Sequence, residues 1–209
     1  MTDLKVLDQA TLVDKNDQVI GQMDKVEAHL GQGQLHRAIS VYLFRQVDDQ
    51  VQLLIQQRSR QKIVGSLQWA NTVCGNVWPI ENYLECAKRR LKHELGVTQA
   101  SLIPLTKFQY QVRCNPKFSE NEIDQVFAGW YDDRVTLNPD EVSDFMWLNW
   151  PDLLLALNNG QMQKYGQAEI NVFAEGLETE IILAPWLVVM LKNQQVVNKL
   201  ETFLTNNKI

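Results

Sequence analysis

Cysteine is scarce: only Cys74, Cys86 and Cys114 occur in 209 residues. An odd, unevenly spaced set cannot build a disulfide framework and fits a reducing compartment. Basic surplus is also missing. With 20 basic against 25 acidic residues the net charge is -5, which argues against general nucleic-acid binding, since that needs a basic face. A local cationic pocket for a small anion stays open. The longest apolar run, residues 181–191, is interrupted by Pro185 and is too short to span a bilayer. The opening Met1-Thr2-Asp3-Leu4-Lys5 has no apolar stretch of signal-peptide type. There is no repeat, no low-complexity tract and no Pro/Gly/Ser linker. With 45% hydrophobic and 22% charged residues the chain can still bury a core. These features predict a cytoplasmic chain forming one domain over 1–209, with no membrane and no nucleic-acid partner. They leave the oligomeric state open.

What is present begins as strands. The runs 10–13 and 18–21 around a polar turn predict a hairpin, as do 37–44 and 51–55 around Asp48-Asp49-Gln50. Segments 105–112, 123–131 and 144–150 predict further strands. The clearest helix covers 81–94. Leu84, Ala87, Leu91 and Leu95 recur at steps of three and four, acids lead, bases follow, and Gly96 closes it. The N-terminal segment, about 1–36, reads as strand. The C-terminal segment, about 151–209, reads as helical, with no consistent period across 160–183. The class is α/β, a mixed sheet flanked by helices.

Certain residues carry chemistry. His29 and His36 are two of only three histidines, and Glu120 and Glu122 would share a face on a strand. Two imidazoles and two carboxylates suit a divalent ion such as Zn²⁺ or Mn²⁺. Lys25, Arg58, Lys62 and Arg90 supply arginine for bidentate phosphate contacts and lysine as a point charge. Glu94 is a natural ligand for Mg²⁺, which pairs few carboxylates with substrate phosphates. Cys74 stands between a strand and the turn at Gly75, a pocket position for a residue more often buried as a small hydrophobe. Tyr110 and Trp186, taken alone, read as core.

Gly75, five residues, Glu81, seven residues, Arg89, then Glu94-x-Gly96 resembles a Nudix box, a loop and helix that hold magnesium against a diphosphate. Arg90 and His93 stand where that box usually has glutamates. Four more pieces narrow the resemblance, in chain order: Ala28-His29 with Leu35-His36-Arg37-Ala38; Asn71-Thr72-Val73-Cys74-Gly75; Tyr110 with Glu120-Asn121-Glu122; and Pro185-Trp186. Together they resemble the type I isopentenyl diphosphate isomerases, a branch of the Nudix superfamily, over about residues 12–186.

The resemblance implies a Nudix-type α/β/α sandwich and an enzyme of isoprenoid biosynthesis acting on a small isoprenyl diphosphate. It implies Cys74 as thiolate base and Glu122 as acid on opposite faces of the substrate, with Tyr110 beside Glu122 and Trp186 at the hydrocarbon end. His29, His36, Glu120 and Glu122 would hold the Zn²⁺ or Mn²⁺. Lys25, Arg58, Lys62 and Arg90 would hold the diphosphate, with Mg²⁺ on Glu94 and the Cys74 carbonyl. The chain departs from the family at Asn76, where a histidine metal ligand is usual, and in residues 161–180, which have no counterpart. The alternatives are a Nudix hydrolase of a nucleoside diphosphate derivative and a catalytically degenerate diphosphate binder.

Overall fold

A computed structural model describes residues 9–174 and 176–207. The described chain enters through an antiparallel hairpin, β1 (Gln9–Val13) and β2 (Val19–Asp24), then a one-turn helix α1 (Lys25–His29). β3 (His36–Val47) and β4 (Gln50–Arg58) form the second expected hairpin. Two short strands follow, β5 (Trp69–Ala70) and β6 (Val73–Asn76), and then α2 (Tyr83–Leu95). β7 (Ile103–Arg113), β8 (Ser119–Trp130) and β9 (Val142–Asn149) lead to α3 (Trp150–Asn159). The chain ends in β10 (Gln161–Met162), a 3-10 turn at Lys164–Gly166, β11 (Ala168–Ala174), β12 (Leu177–Leu183), α4 (Pro185–Lys192) and α5 (Gln194–Asn206). The strands join one mixed sheet, with β3 parallel to β8 and antiparallel to β4 and β6.

The period-two alternation of β3 decides the layers. Ile39, Val41 and Leu43 pack with Leu91 and Leu95 of α2 on one face. Tyr42 and Phe44 pack with Trp150, Leu187 and Phe203 of the C-terminal helices on the other. This is the expected α/β/α sandwich. The second face changes character along its length: Phe44, Tyr42, Val126 and Ala128 are apolar core, while Ser40, His36, Asp124, Glu122 and Glu120 are buried and polar. The site lies at that polar end.

Helix α2 starts later than its sequence pattern implies. Asn82 and Glu85 form a reciprocal capping box, so the helix opens at Tyr83, and Gly96 ends it at φ 68. Glu81 stays outside, accepting from Trp78 N at 2.9 Å and pairing with Arg89. Leu84 is 38% exposed and leaves the apolar stripe, which Cys86, Ala87, Leu91 and Leu95 form instead. α1 interrupts the N-terminal segment that the sequence reads as strand.

The described residues from 151 to 207 are helical only in part; residues 208–209 of the expected segment lie outside the described residues. Within 161–183, β10, β11 and β12 extend the sheet, because Ala168, Ile170 and Val172 alternate inward against Ile181 and Leu183, and Gly176 lies in the turn of the hairpin at φ +83. β12 reaches the rest of the sheet by a parallel pairing of Leu183 with Trp69. No helix among the described residues is long and apolar enough to cross a membrane. At the N-terminal end, Asp17 (φ 62) accepts from Arg37 Nε at 2.6 Å, Lys107 Nζ at 2.5 Å and Tyr83 Oη at 3.0 Å, binding the first hairpin to β3, β7 and α2.

Candidate active site

Strand register supplies half the site. His36 lies opposite Glu122 across the parallel pair, and Tyr110 lies opposite Glu122 on the other side. Period two puts Glu120, Glu122 and Asp124 on one face of β8, all buried. Asp24 caps α1 through the N–H groups of Val26 and Glu27 and brings His29 beside them. One ligand atom each from His29, His36, Glu120 and Glu122 lies within 4.8 Å of the others.

Both imidazoles are held from behind. Nδ1 of His36 is 2.8 Å from the Gln34 carbonyl, and Nδ1 of His29 bonds the Lys25 carbonyl. A carbonyl only accepts, so each Nδ1 carries the proton and each Nε2 turns toward the carboxylates. His29 Nε2 is 2.9 Å from Glu120 Oε2, and His36 Nε2 is 3.5 Å from Glu122 Oε1. His36 Nε2 and Glu120 Oε2 are nevertheless buried without an aligned hydrogen bond. Four donors of electron pairs converging on one point, with carbonyls fixing the histidines, match the ligand set and outer shell of a divalent metal. The residues fit such an ion. Burial opposes protonation of His29, but Glu120 carries its imidazole up to about 9. Burial raises Glu120, yet the two histidines bring it down to about 2.

Glu122 moves the other way. Burial and the Glu120 charge raise its carboxyl, with His36 and Tyr110 pulling back. Tyr110 Oη donates to Glu122 Oε2 at 2.5 Å. Asp124 lies next along the strand face, raised further by burial and by Glu122, and accepts from Ser40 Oγ at 2.9 Å.

A cleft of about 480 Å³ brings the expected residues together. His29, Cys74, Tyr110, Glu120, Glu122 and Trp186 line it, as do Lys25, Arg58, Lys62, Asn76 and Arg90. His36 and Glu94 are fully buried one contact behind, on Glu122 and Arg90. Trp186 is 3% exposed, and the Arg58 guanidinium lies 5.0 Å from its ring. The indole packs on Gly65 (φ +66), where a Cβ would come within 2.6 Å of the ring.

Two features of the cleft bear on its chemistry. Nearby cations do not make Cys74 a ready thiolate in the ligand-free chain. Burial pushes its thiol up to about 12, and Arg58, 4.0 Å from Sγ, offsets only part of that. Alkylation of Cys74 should therefore keep climbing about tenfold per pH unit from roughly pH 8 to 10, without levelling off near 9. Peptide mass spectrometry reads this directly, and a plateau below pH 9 would show a depressed thiol. Two of the basic side chains, moreover, are already paired with acids. Arg90 bonds Glu94 at 2.6 Å and Glu141 at 2.9 Å, and Lys62 bonds Glu141.

Glu141 and Gln56 escaped the sequence reading. Gln56 donates to Glu94 Oε2 at 2.7 Å. Neither sits in a recognisable spacing. Asp124 was visible in principle, since it continues the two-residue step of Glu120 and Glu122.

The NUDIX domain family matches residues 34–167. An isopentenyl-diphosphate Delta-isomerase of Pectobacterium atrosepticum is 40% identical over 139 residues, covering 66% of this chain and 75% of that protein. Isopentenyl-diphosphate Delta-isomerase I of Clarkia breweri is 31% identical over 205 residues, covering 89% of this chain and 66% of that protein. Among solved structures, a Deinococcus radiodurans protein superposes with a TM-score of 0.59 at 24% identity, over 73% of this chain and 90% of that one, and so shares the fold.

Proposed function

We propose that this chain, which belongs to the NUDIX domain family, is an isomerase interconverting isopentenyl diphosphate and dimethylallyl diphosphate. The observation that carries this reading is an acid, a thiol and an indole in one cleft beside basic side chains, where the helix α2 offers Arg90 and His93 in place of further carboxylates. A hydrolase needs carboxylates there to gather metal and activate water.

Only two C–H bonds change in this reaction. Glu122 gives its proton to the terminal carbon of the double bond, leaving a tertiary cation. Cys74, as thiolate, takes a proton from the carbon on the other side of the cationic centre. In the reverse direction the Cys74 thiol is the donor and Glu122 the acceptor. Burial and Glu120 hold the Glu122 carboxyl toward its protonated form, which suits a donor to a weakly basic alkene. Tyr110 fixes Glu122 Oε2 and so the direction of the proton. The Trp186 face attracts the cation, worth about 2 kcal/mol when desolvated, and offers no nucleophile. Lys25, Arg58, Lys62 and Arg90 bind and orient the diphosphate. A Zn²⁺ or Mn²⁺ ion on His29, His36, Glu120 and Glu122 would supply Lewis acidity, and Mg²⁺ on Glu94 would offset diphosphate charge. With its three cysteines unpaired, a cytoplasmic setting belongs to the same proposal.

Purified protein incubated with isopentenyl diphosphate and Mg²⁺ should yield dimethylallyl diphosphate without released phosphate. Phosphate with no isomer would sink the reading.

Asn76 also lines the cleft, at the end of β6, where its backbone pairs with Ala38 two residues after His36. An amide oxygen is a weaker donor than imidazole. Asn76→His should tighten Zn²⁺ or Mn²⁺ binding about tenfold or more without loss of turnover. Chelator competition measures it, and unchanged affinity would remove residue 76 from the metal's surroundings.

A further inference from the structure

The sequence and its resemblance leave Glu141 without a role, yet its carboxylate occupies the basic side of the cleft. Lys62 Nζ and Arg90 Nη2 both bond its Oε2, the latter at 2.9 Å, and His93 Nε2 lies 3.3 Å from Oε1. Two of the four cations assigned to the diphosphate thus already hold an anion. The placement is built into the backbone. Ser59 N donates to the Glu141 carbonyl at 2.9 Å, Ser59 Oγ to the Asp140 carbonyl at 2.7 Å, and Gln61 to Asp140 Oδ1 at 3.1 Å. The basic loop after β4 is therefore tied to the acidic turn before β9.

Like charges crowd around this carboxylate. Arg58, Lys62 and Arg90 are close enough that Arg58 and Arg90 both push the Lys62 ammonium toward neutrality, adding to the effect of burial. Such a group of cations needs an anion whether or not a ligand is present. A carboxylate with two oxygens facing Lys62, Arg90 and His93 presents the charge and spacing of one end of a phosphate group.

We propose that Glu141 is an internal counter-anion, exchanged for the diphosphate when ligand binds, and that it makes binding depend on a metal-charged diphosphate. Because the backbone at 140–141 is anchored, only the side chain can turn away. The displaced carboxylate stays within the cleft and repels a bare diphosphate. A cation bound with the diphosphate removes most of that repulsion. Glu141 is thus a specificity-determining residue, acting on binding and not on the proton transfers. This rests on reading the cleft as a diphosphate site.

The test uses inorganic pyrophosphate and calorimetry, with and without Mg²⁺, on the full chain. Glu141→Gln removes the internal anion and keeps the shape. It should bind bare pyrophosphate about tenfold more tightly than the wild type and gain less from Mg²⁺, a coupling of the usual size between linked sites. Glu141→Asp withdraws the charge by one methylene and should also bind bare pyrophosphate more tightly. It carries the test should the Gln variant fail to fold. If Glu141 only braces Lys62 and Arg90, both variants bind pyrophosphate no better or more weakly, which overturns the exchange. If neither the wild type nor the variants bind pyrophosphate in either condition, the diphosphate reading falls and this inference with it.

Discussion

Cys74→Ala should lower isomerisation about 10³-fold or more, the scale of a lost general acid or base, while pyrophosphate affinity and melting temperature change little. The expectation follows from what the thiol touches. Its polar neighbour is Arg58 Nη1 at 4.0 Å, a contact too long to hold the guanidinium. Arg58 is instead fixed by Val64 O at 3.1 Å and by the Trp186 ring. Removing Sγ therefore deletes a proton acceptor and leaves the anion-binding side intact. The neutral thiol of the ligand-free chain adds a second expectation. Because burial holds Cys74 high, the thiolate fraction grows as pH rises toward that value, so turnover should rise with pH through the alkaline range. A variant that turns over at the wild-type rate would end the proposed mechanism.

Glu122→Gln should abolish turnover on a similar scale, about 10²- to 10⁴-fold, and should also weaken metal retention. The two losses have separate causes. The amide still accepts from Tyr110, so the cleft keeps its shape, but it has no acidic proton for the alkene. It also takes one negative charge from a set in which His36 Nε2 lies 3.5 Å from Glu122 Oε1. Loss of an outer-shell partner alone costs metal sites about 10–100-fold in affinity, and a direct ligand should cost at least as much. Glu120→Gln should lose metal comparably yet keep more turnover, since Glu120 faces His29 and not Tyr110. Metal content by emission spectrometry and product analysis on both variants separate the effects. A Glu122 variant with full metal and full activity would remove this residue from the acid role.

The sequence made the meeting of side chains legible because strand periodicity is simple. Glu120 and Glu122 had to share a face, and a helix ending at Gly96 had to turn Glu94 inward or outward as one unit. The burial of Glu94 at 1% exposure shows which. Stretches governed by neighbours far along the chain were not legible. Strands β11 and β12 join the sheet because β12 finds an edge at Trp69, over a hundred residues earlier, and the short alternation of Ala168, Ile170 and Val172 does not announce that partner. Leu84 fits a helical stripe but lies 38% exposed, because the stripe turns onto Cys86 instead. The high thiol of Cys74 reflects desolvation among the side chains packed around the cleft, which no motif encodes. Glu141 precedes a strand as an ordinary turn acid, and its partners come from β4's following loop and from α2.

Asp17 sits in a turn that any motif search would pass over. The elements its carboxylate joins each carry a group of the cleft: β3 carries His36, α2 carries Glu94, and β7 carries Tyr110. The hairpin to which Asp17 belongs leads straight to His29. One half-buried side chain thus keys four positions that must agree to within a fraction of an ångström. Inherited changes at this turn would leave every catalytic letter intact and still detune the enzyme. Tolerance to mutation in this protein is therefore set by shared anchorage as much as by distance from the chemistry.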